Sequence, residues 1–245
     1  MYYSRAPISE AVIDLRTDFL VPPTVAELEA LASKLGDILP LRQQVNSLAF
    51  NLAAAENSAE LVGSSSSSTL GMRLSSLGND RVLQLLRHGL AYSHLPPYTN
   101  WQTFLAGLKP LWAGFVADCH VQAVSRAAVR YINRIPVPNG VEVDDYLALG
   151  ARIPEQISKQ VIGYFMQVVV PLPDLGPQYR AVINTGVEPG TAPNPAALLL
   201  DIDVFCEDRL DVAGEEIWAV LDRLRRKKNE IFEASITDKV RELIK

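Results

Sequence analysis

The chain has 245 residues, with 23 Lys and Arg against 28 Asp and Glu, and a formal net charge of -5; this balance argues against a dedicated nucleic-acid binder. Hydrophobic residues make up 48%, enough to bury a core and to argue against disorder outside loops. There is no apolar run of about 18 residues to span a bilayer, no basic-then-apolar signal in MYYSRAPISEAV, and only Cys119 and Cys206 with no CxxC between them, so a cytoplasmic chain without disulfides or a cysteine zinc site is expected.

Residues 7–19, PISEAVIDLRTDF, alternate Ala11, Ile13, Leu15 and Phe19 with Glu10, Asp14, Arg16 and Asp18. That period of two predicts a half-buried strand. Thr24 with Glu27 forms a capping-box signal, and Val25, Leu28, Leu31, Ala32 and Leu35 recur at helical spacing behind it. RQQVNSLAFNL reads as a second strand, and NSAELVGSSSSST reads as the turn that ends it, since serine and glycine pack poorly and solvate well. LGND at 77–80 predicts a hairpin between TLGMRLSS and RVLQLLRHGLAYSHL, the latter bulged at Gly89. Thr99 is the expected cap of a long helix whose stripe is Trp101, Phe104, Leu105, Leu108, Trp112, Phe115 and Val116.

The order of elements then repeats. VQAVSRAAVRYINRIPVP (121–138) is a strand, VDDYLALG a short helix, and SKQVIGYFMQVVVPL, QYRAVINTGV and AALLLDIDVFC are strands. A final helix begins near Asp211, with Ile217, Val220, Leu221, Leu224 and Ile231 inward. Aligned on each other, ISEAVIDLRTDFLVP and VSRAAVRYINRIPVP share Ser9 with Ser125, Ala11 with Ala127, Val21 with Val137 and Pro22 with Pro138. The expected fold is therefore α+β, a tandem duplication of a strand-helix-three strands-helix unit. Residues 1–120 and 121–245 are its repeats, in a mainly antiparallel sheet with helices mainly on one side.

The same alignment sets Arg126, Arg130 and Arg134 against Glu10, Asp14 and Asp18. If the two strands are adjacent and antiparallel, an acidic face meets a basic one, each cross-strand pair contributing roughly 0.2 to 1 kcal/mol. Asp201, Asp203 and Glu207 share one face of LLLDIDVFCED. Two carboxylates so spaced can hold a divalent cation, or can pair with arginines of neighbouring strands. No histidine or acidic cluster completes a catalytic metal site, and the second reading is preferred. His88, His94 and His120 read as structural. GSSSSST lacks the second glycine and the lysine of a phosphate loop and reads as a mobile loop. RRKK at 225–228 reads as a solvated helix face, or as a patch for a phosphate backbone.

PISEAVIDLR, YTNWQTF (98–104), VRYINRIPVP (129–138), LLLDIDVF (198–205) and IFEASIT (231–237) together resemble a sporadically distributed prokaryotic protein family of uncharacterised function. The resemblance runs nearly end to end. It implies a fold shared with that family and a gene distribution of the kind found at mobile or defence loci, and it supplies no catalytic residues. Its motif residues are Arg130, Asn133, Arg134, Asp201 and Asp203.

The function expected is a non-enzymatic binding module without a cofactor. It would take a protein partner or a small ligand at the repeat interface, as an accessory or immunity component of a defence system. The candidate binding residues are Arg126, Arg130, Arg134, Asn133, Asp201 and Asp203. Two alternatives are a metal-dependent hydrolase or nuclease using Asp201 and Asp203, and nucleic-acid binding through the basic helix face and the arginine strand.

Overall fold

The computed structural model describes residues 3–54, 61–151, 154, 156–157, 161, 163–190 and 196–245, and the side chains of these except at 48–54 and 61–67. Nine strands form one continuous antiparallel sheet. In chain order they are β1 (Ile8–Phe19), β2 (Leu41–Ala54), β3 (Leu61–Ser75), β4 (Arg81–Leu86), β5 (Gly89–His94), β6 (Val121–Pro136), β7 (Phe165–Pro171), β8 (Tyr179–Glu188) and β9 (Ala197–Cys206). Helix α1 (Val25–Lys34) follows β1, α2 (Trp101–Cys119) follows β5, and α3 (Glu216–Ser235) and α4 (Asp238–Ile244) close the chain.

The sheet order is β2-β3-β4-β5-β1-β6-β9-β8-β7. Strands β1 and β6 lie side by side at its centre, antiparallel, with Ile13 opposite Val129 and Asp14 opposite Ala128. Outward from that pair run β5, β4, β3 and β2 on one side and β9, β8 and β7 on the other, so each half of the chain keeps to its own half of the sheet.

Alternation decides which face is covered. Ile13, Val129, Val204 and Ala181 form one transverse row, fully buried. Helix α2 packs on this face, where Phe104 stacks on Tyr92 at 5.4 Å and Phe115 meets Phe19 at 6.1 Å. Helix α3 covers β6 and β9 on the same face, and α1 lies over β3 against α2. The opposite face carries Asp14, Arg126, Arg130, Asp201 and Asp203, and no helix among the described residues lies over it.

Local signals explain several boundaries. Thr24 and Glu27 form the reciprocal capping box, with Thr24 N donating to Glu27 Oε2 at 2.7 Å and Glu27 N to Thr24 Oγ1 at 3.3 Å. Helix α2 is capped by Asn100 instead of Thr99, its Oδ1 accepting from Thr103 N at 2.9 Å. Asn100→Ala should therefore cost about 1 kcal/mol in urea unfolding, and Thr99→Ala should leave the helix start capped.

Other expectations need correcting. GSSSSST lies within β3, paired to β2 from Ser75 opposite Leu41 to Leu61 opposite Ala54. A sheet ladder is made by the backbone, and polar pairs such as Ser47 Oγ with Ser68 Oγ at 2.9 Å can serve a strand face that is not in the core. Residues 57–60 of the expected turn lie outside the described residues. RVLQLLRHGLAYSHL is not one bulged strand but a hairpin, β4 and β5 joined at Arg87 and His88. Gly89 follows that turn at φ +145°, and a Cβ there would sit 2.0 Å from the Leu15 carbonyl oxygen of β1. The first half thus has four strands after α1, not three. VDDYLALG forms only a single 3-10 turn at Val143–Asp145, and α4 was not foreseen.

Candidate functional site

Three arginines spaced four apart on β6 share the helix-free face, because residues an even number apart on a strand project to one side. Arg126 Nη1 donates to Asp14 Oδ1 of β1 at 2.8 Å and its Nη2 to Asp203 Oδ2 of β9 at 2.7 Å, while its guanidinium lies 4.4 Å from the Phe205 ring centroid. Arg130 holds Asp201 with two bonds, Nε to Oδ1 at 2.8 Å and Nη2 to Oδ2 at 2.7 Å. Asp201 also accepts from Asn184 Nδ2 at 2.9 Å, and Gln167 Nε2 donates to Asn184 Oδ1 at 2.8 Å, carrying the network out to β7. Arg134 pairs with Glu188.

The pairing differs from the alignment. Glu10, Asp14 and Asp18 do not meet Arg126, Arg130 and Arg134 in that order, because antiparallel neighbours run in opposite directions; in register, Arg16 faces Arg126 and Val12 faces Arg130. Asp14 forms an ion pair with an arginine of the set, Arg126, while Glu10 acts on Arg130 through charge without an ion pair. Asp18 binds Arg209 at 3.2 Å instead, and no Arg130–Asp14 coupling is expected. Burial raises the Asp203 carboxyl above its ordinary range, with Arg126 pulling the other way. Both Asp201 oxygens and one of Asp203 are bound to arginine. Among the described residues no three His, Cys, Asp or Glu side chains group as metal ligands.

Asn133, expected to join this set, projects to the other face. It is 2% exposed and donates from Nδ2 to the Leu200 carbonyl at 2.9 Å. There it lines a cavity of about 1030 Å³ between the start of α2, the second half of α3 and the segment leading into β1. The walls come from both halves of the chain: Tyr3, Tyr98 and Trp101 from the first, Tyr131, Arg225 and Lys228 from the second. Trp101 Nε1 donates to Asp222 Oδ1 at 2.9 Å, tying α2 to α3. The Tyr98 and Tyr131 hydroxyls are 2.7 Å apart, and burial raises both phenols, Tyr131 well above its ordinary range.

Lys228 is the unusual member. It is 6% exposed, and its Nζ lies 3.7 Å from the Tyr131 ring centroid with no hydrogen-bond or ion-pair partner among the described residues. Burial, then the charge of Arg225, pushes its amine down to about 7. The acids lining the cavity are engaged elsewhere: Glu230 with Lys227, Glu233 with Arg241 at 3.2 Å and with the Tyr3 hydroxyl at 2.9 Å. At neutral pH the site therefore offers an amine poised between its two protonation states, a fixed guanidinium and hydroxyl donors, against aromatic walls.

RRKK is accordingly not one solvated face. Lys227 pairs with Asp174 at 2.5 Å and with Glu230, Arg225 lines the cavity, and Lys228 occupies a core position. The signal for Lys228 was present: the inward series Ile217, Leu221, Leu224 continues at helical spacing through Lys228 to Phe232. His94 is buried beside Tyr98 at 5.1 Å, its Nδ1 2.8 Å from the Leu95 carbonyl, and burial lowers its pKa. His120 takes the left-handed position that ends α2.

No helix among the described residues is long and apolar enough to cross a membrane. Among the described residues this is an α+β protein with helices packed against an antiparallel sheet and a cavity lined by both halves of the chain. Comparison with models of protein families, with curated proteins and with solved structures returns no match.

Proposed function

We propose that the chain is a non-enzymatic binding module for a small organic anion, held in the cavity where the two halves meet. The observation that carries this reading is Lys228, a buried amine on the cavity wall with no counter-ion among the described residues. A desolvated ammonium without a partner is unfavourable, and an anionic ligand would supply the missing charge. Arg225 adds a permanent cation on the same wall. The strand order around β1 and β6, mirrored except for the additional edge strand β2 of the first half, supports an origin by duplication, with the ligand at the junction. The family resemblance would place such a module among accessory or immunity components of defence loci, where ligand occupancy would be passed to a protein partner. The arginine ladder is a poorer candidate for nucleic acid, because each of its three arginines is bound to a carboxylate within the sheet.

Titration with lactate and succinate tests the reading. Either anion should raise Tm, since a ligand that binds only the folded state stabilises it by RT ln(1 + [L]/Kd), about 2.7 kcal/mol at a hundredfold excess over Kd. Binding should take up protons near pH 7 and weaken as pH rises above it, because the ammonium is the form an anion selects. Lys228→Met should abolish the effect. Absence of any Tm shift with both anions at tens of millimolar would sink the reading.

A further inference from the structure

We propose that Lys228 captures a carbonyl compound as a reversible imine and that the cavity selects 2-oxo acids, their carboxylate set against Arg225. This rests on the cavity being the binding site and adds a covalent step to it.

The geometry separates Lys228 from other lysines of the chain. Lys34 is paired with Asp118 at 2.7 Å, Lys239 with Asp145 at 2.9 Å, and Lys227 with two carboxylates. Lys228 has no such partner among the described residues, is covered by Tyr131, and shares its wall with the cation of Arg225. An amine desolvated beside another cation is the arrangement that makes lysine a nucleophile near neutral pH.

The step balances within the site. The Nζ lone pair forms a bond to the carbonyl carbon, the carbon–oxygen bond breaks, and the oxygen leaves as water carrying the two protons that the amine gives up. The neutral product is the Nζ=C imine, and addition of water reverses it. No oxidant or reductant is needed. In the Tyr98–Tyr131 hydroxyl pair one hydroxyl donates to the other, and the second proton has no acceptor among the described residues, so the pair can donate to the departing oxygen and be refilled from the nitrogen. The cavity is large enough to take a side chain beyond the 2-oxo group.

Incubation of the intact protein with pyruvate and cyanoborohydride at pH 7.5, followed by intact mass and peptide mapping, tests the proposal. A single reduced adduct should form at Lys228, faster than at any exposed lysine by about a hundredfold, because an ordinary lysine is almost wholly protonated at that pH. Acetone, which has the ketone but no carboxylate, should be trapped at least about tenfold more slowly; equal rates would overturn the selection of oxo acids. Lys228→Arg keeps the cation, cannot form the imine and should give no adduct. Should it fail to fold, the wild-type peptide map decides alone, and adducts spread over surface lysines overturn the proposal. If lactate raises Tm but pyruvate is not trapped at Lys228, the imine is wrong and the anion site stands; if neither binds, both readings fall.

Discussion

The free energy of unfolding should rise by about 2 kcal/mol between pH 7 and pH 9 through Lys228 alone, and Lys228→Met should remove that rise. The sign follows from the protons each state binds. An unfolded lysine, near 10.4, stays protonated across this window. In the folded chain burial holds the Lys228 amine at about 7, so the proton is lost as pH climbs past that value. The unfolded state then binds more protons than the folded one, and stability increases with pH. Below pH 7 both states are protonated and the full penalty of a buried ammonium applies, so Lys228→Met should be more stable than wild type there, with the gap narrowing by about 2 kcal/mol up to pH 9. The other charged and titrating groups on the same cavity are Arg225, Tyr3, Tyr98, Tyr131, Glu230 and Glu233. The phenols titrate above the window, all three pushed upward by burial, and the glutamates are paired with other cations. Urea titrations of both proteins at pH 6, 7, 8 and 9 measure the effect. Parallel stability curves would show that the amine keeps its proton in the folded state. A bound carboxylate should flatten the wild-type curve, because it restores the counter-ion that holds the proton.

This expectation depends on a residue hidden in plain composition. In RRKK the run of like charges draws attention to charge, yet the helical spacing from Ile217 through Leu221 and Leu224 selects Lys228 for the core just as it selects Phe232. The periodicity was legible; the burial of a lysine was not, because a charged residue on an apolar stripe more often reaches out to solvent. The two-residue alternation of β1, the Thr24 capping box and the aromatic stripe of α2 were legible for a simpler reason, since each is fixed within a few residues of chain. The serine run in β3 was not. Its side chains signal a loop, and only its long partner β2 makes it a strand. The Tyr98–Tyr131 contact and the choice of Asp201 over Asp14 by Arg130 join residues 33 and 71 apart. Such pairs follow from sheet order, which alternation along one strand does not specify.

Arg126→Ala should destabilise the protein by about 3 kcal/mol, more than the loss of Arg134, which like its partner Glu188 is nearly half exposed and can exchange that partner for water. The Arg126 side chain is 12% exposed, bridges carboxylates on both neighbouring strands and stacks on Phe205. Its removal leaves Asp203 largely buried with one oxygen already lacking a partner and the other newly stripped. An uncompensated buried charge is the larger part of the loss, so Arg126→Ala with Asp203→Asn should recover about half of it. Acid should relieve it too. Burial raises the Asp203 carboxyl even with Arg126 present, and without the arginine it should rise further. Between the ordinary carboxylate value and that raised one the folded state binds the extra proton, so the variant should regain stability relative to wild type as pH falls from 7 towards 5. Unfolding curves of wild type, both single variants and the double variant at pH 5 and 7 give the coupling directly. Strict additivity at both values would mean that Arg126 and Asp203 contribute separately. A coupling above about 1 kcal/mol that shrinks in acid would identify the ion pair itself, and with the Asp14 bond to β1 it would make Arg126 the side chain that joins β9, β6 and β1 across the boundary between the halves.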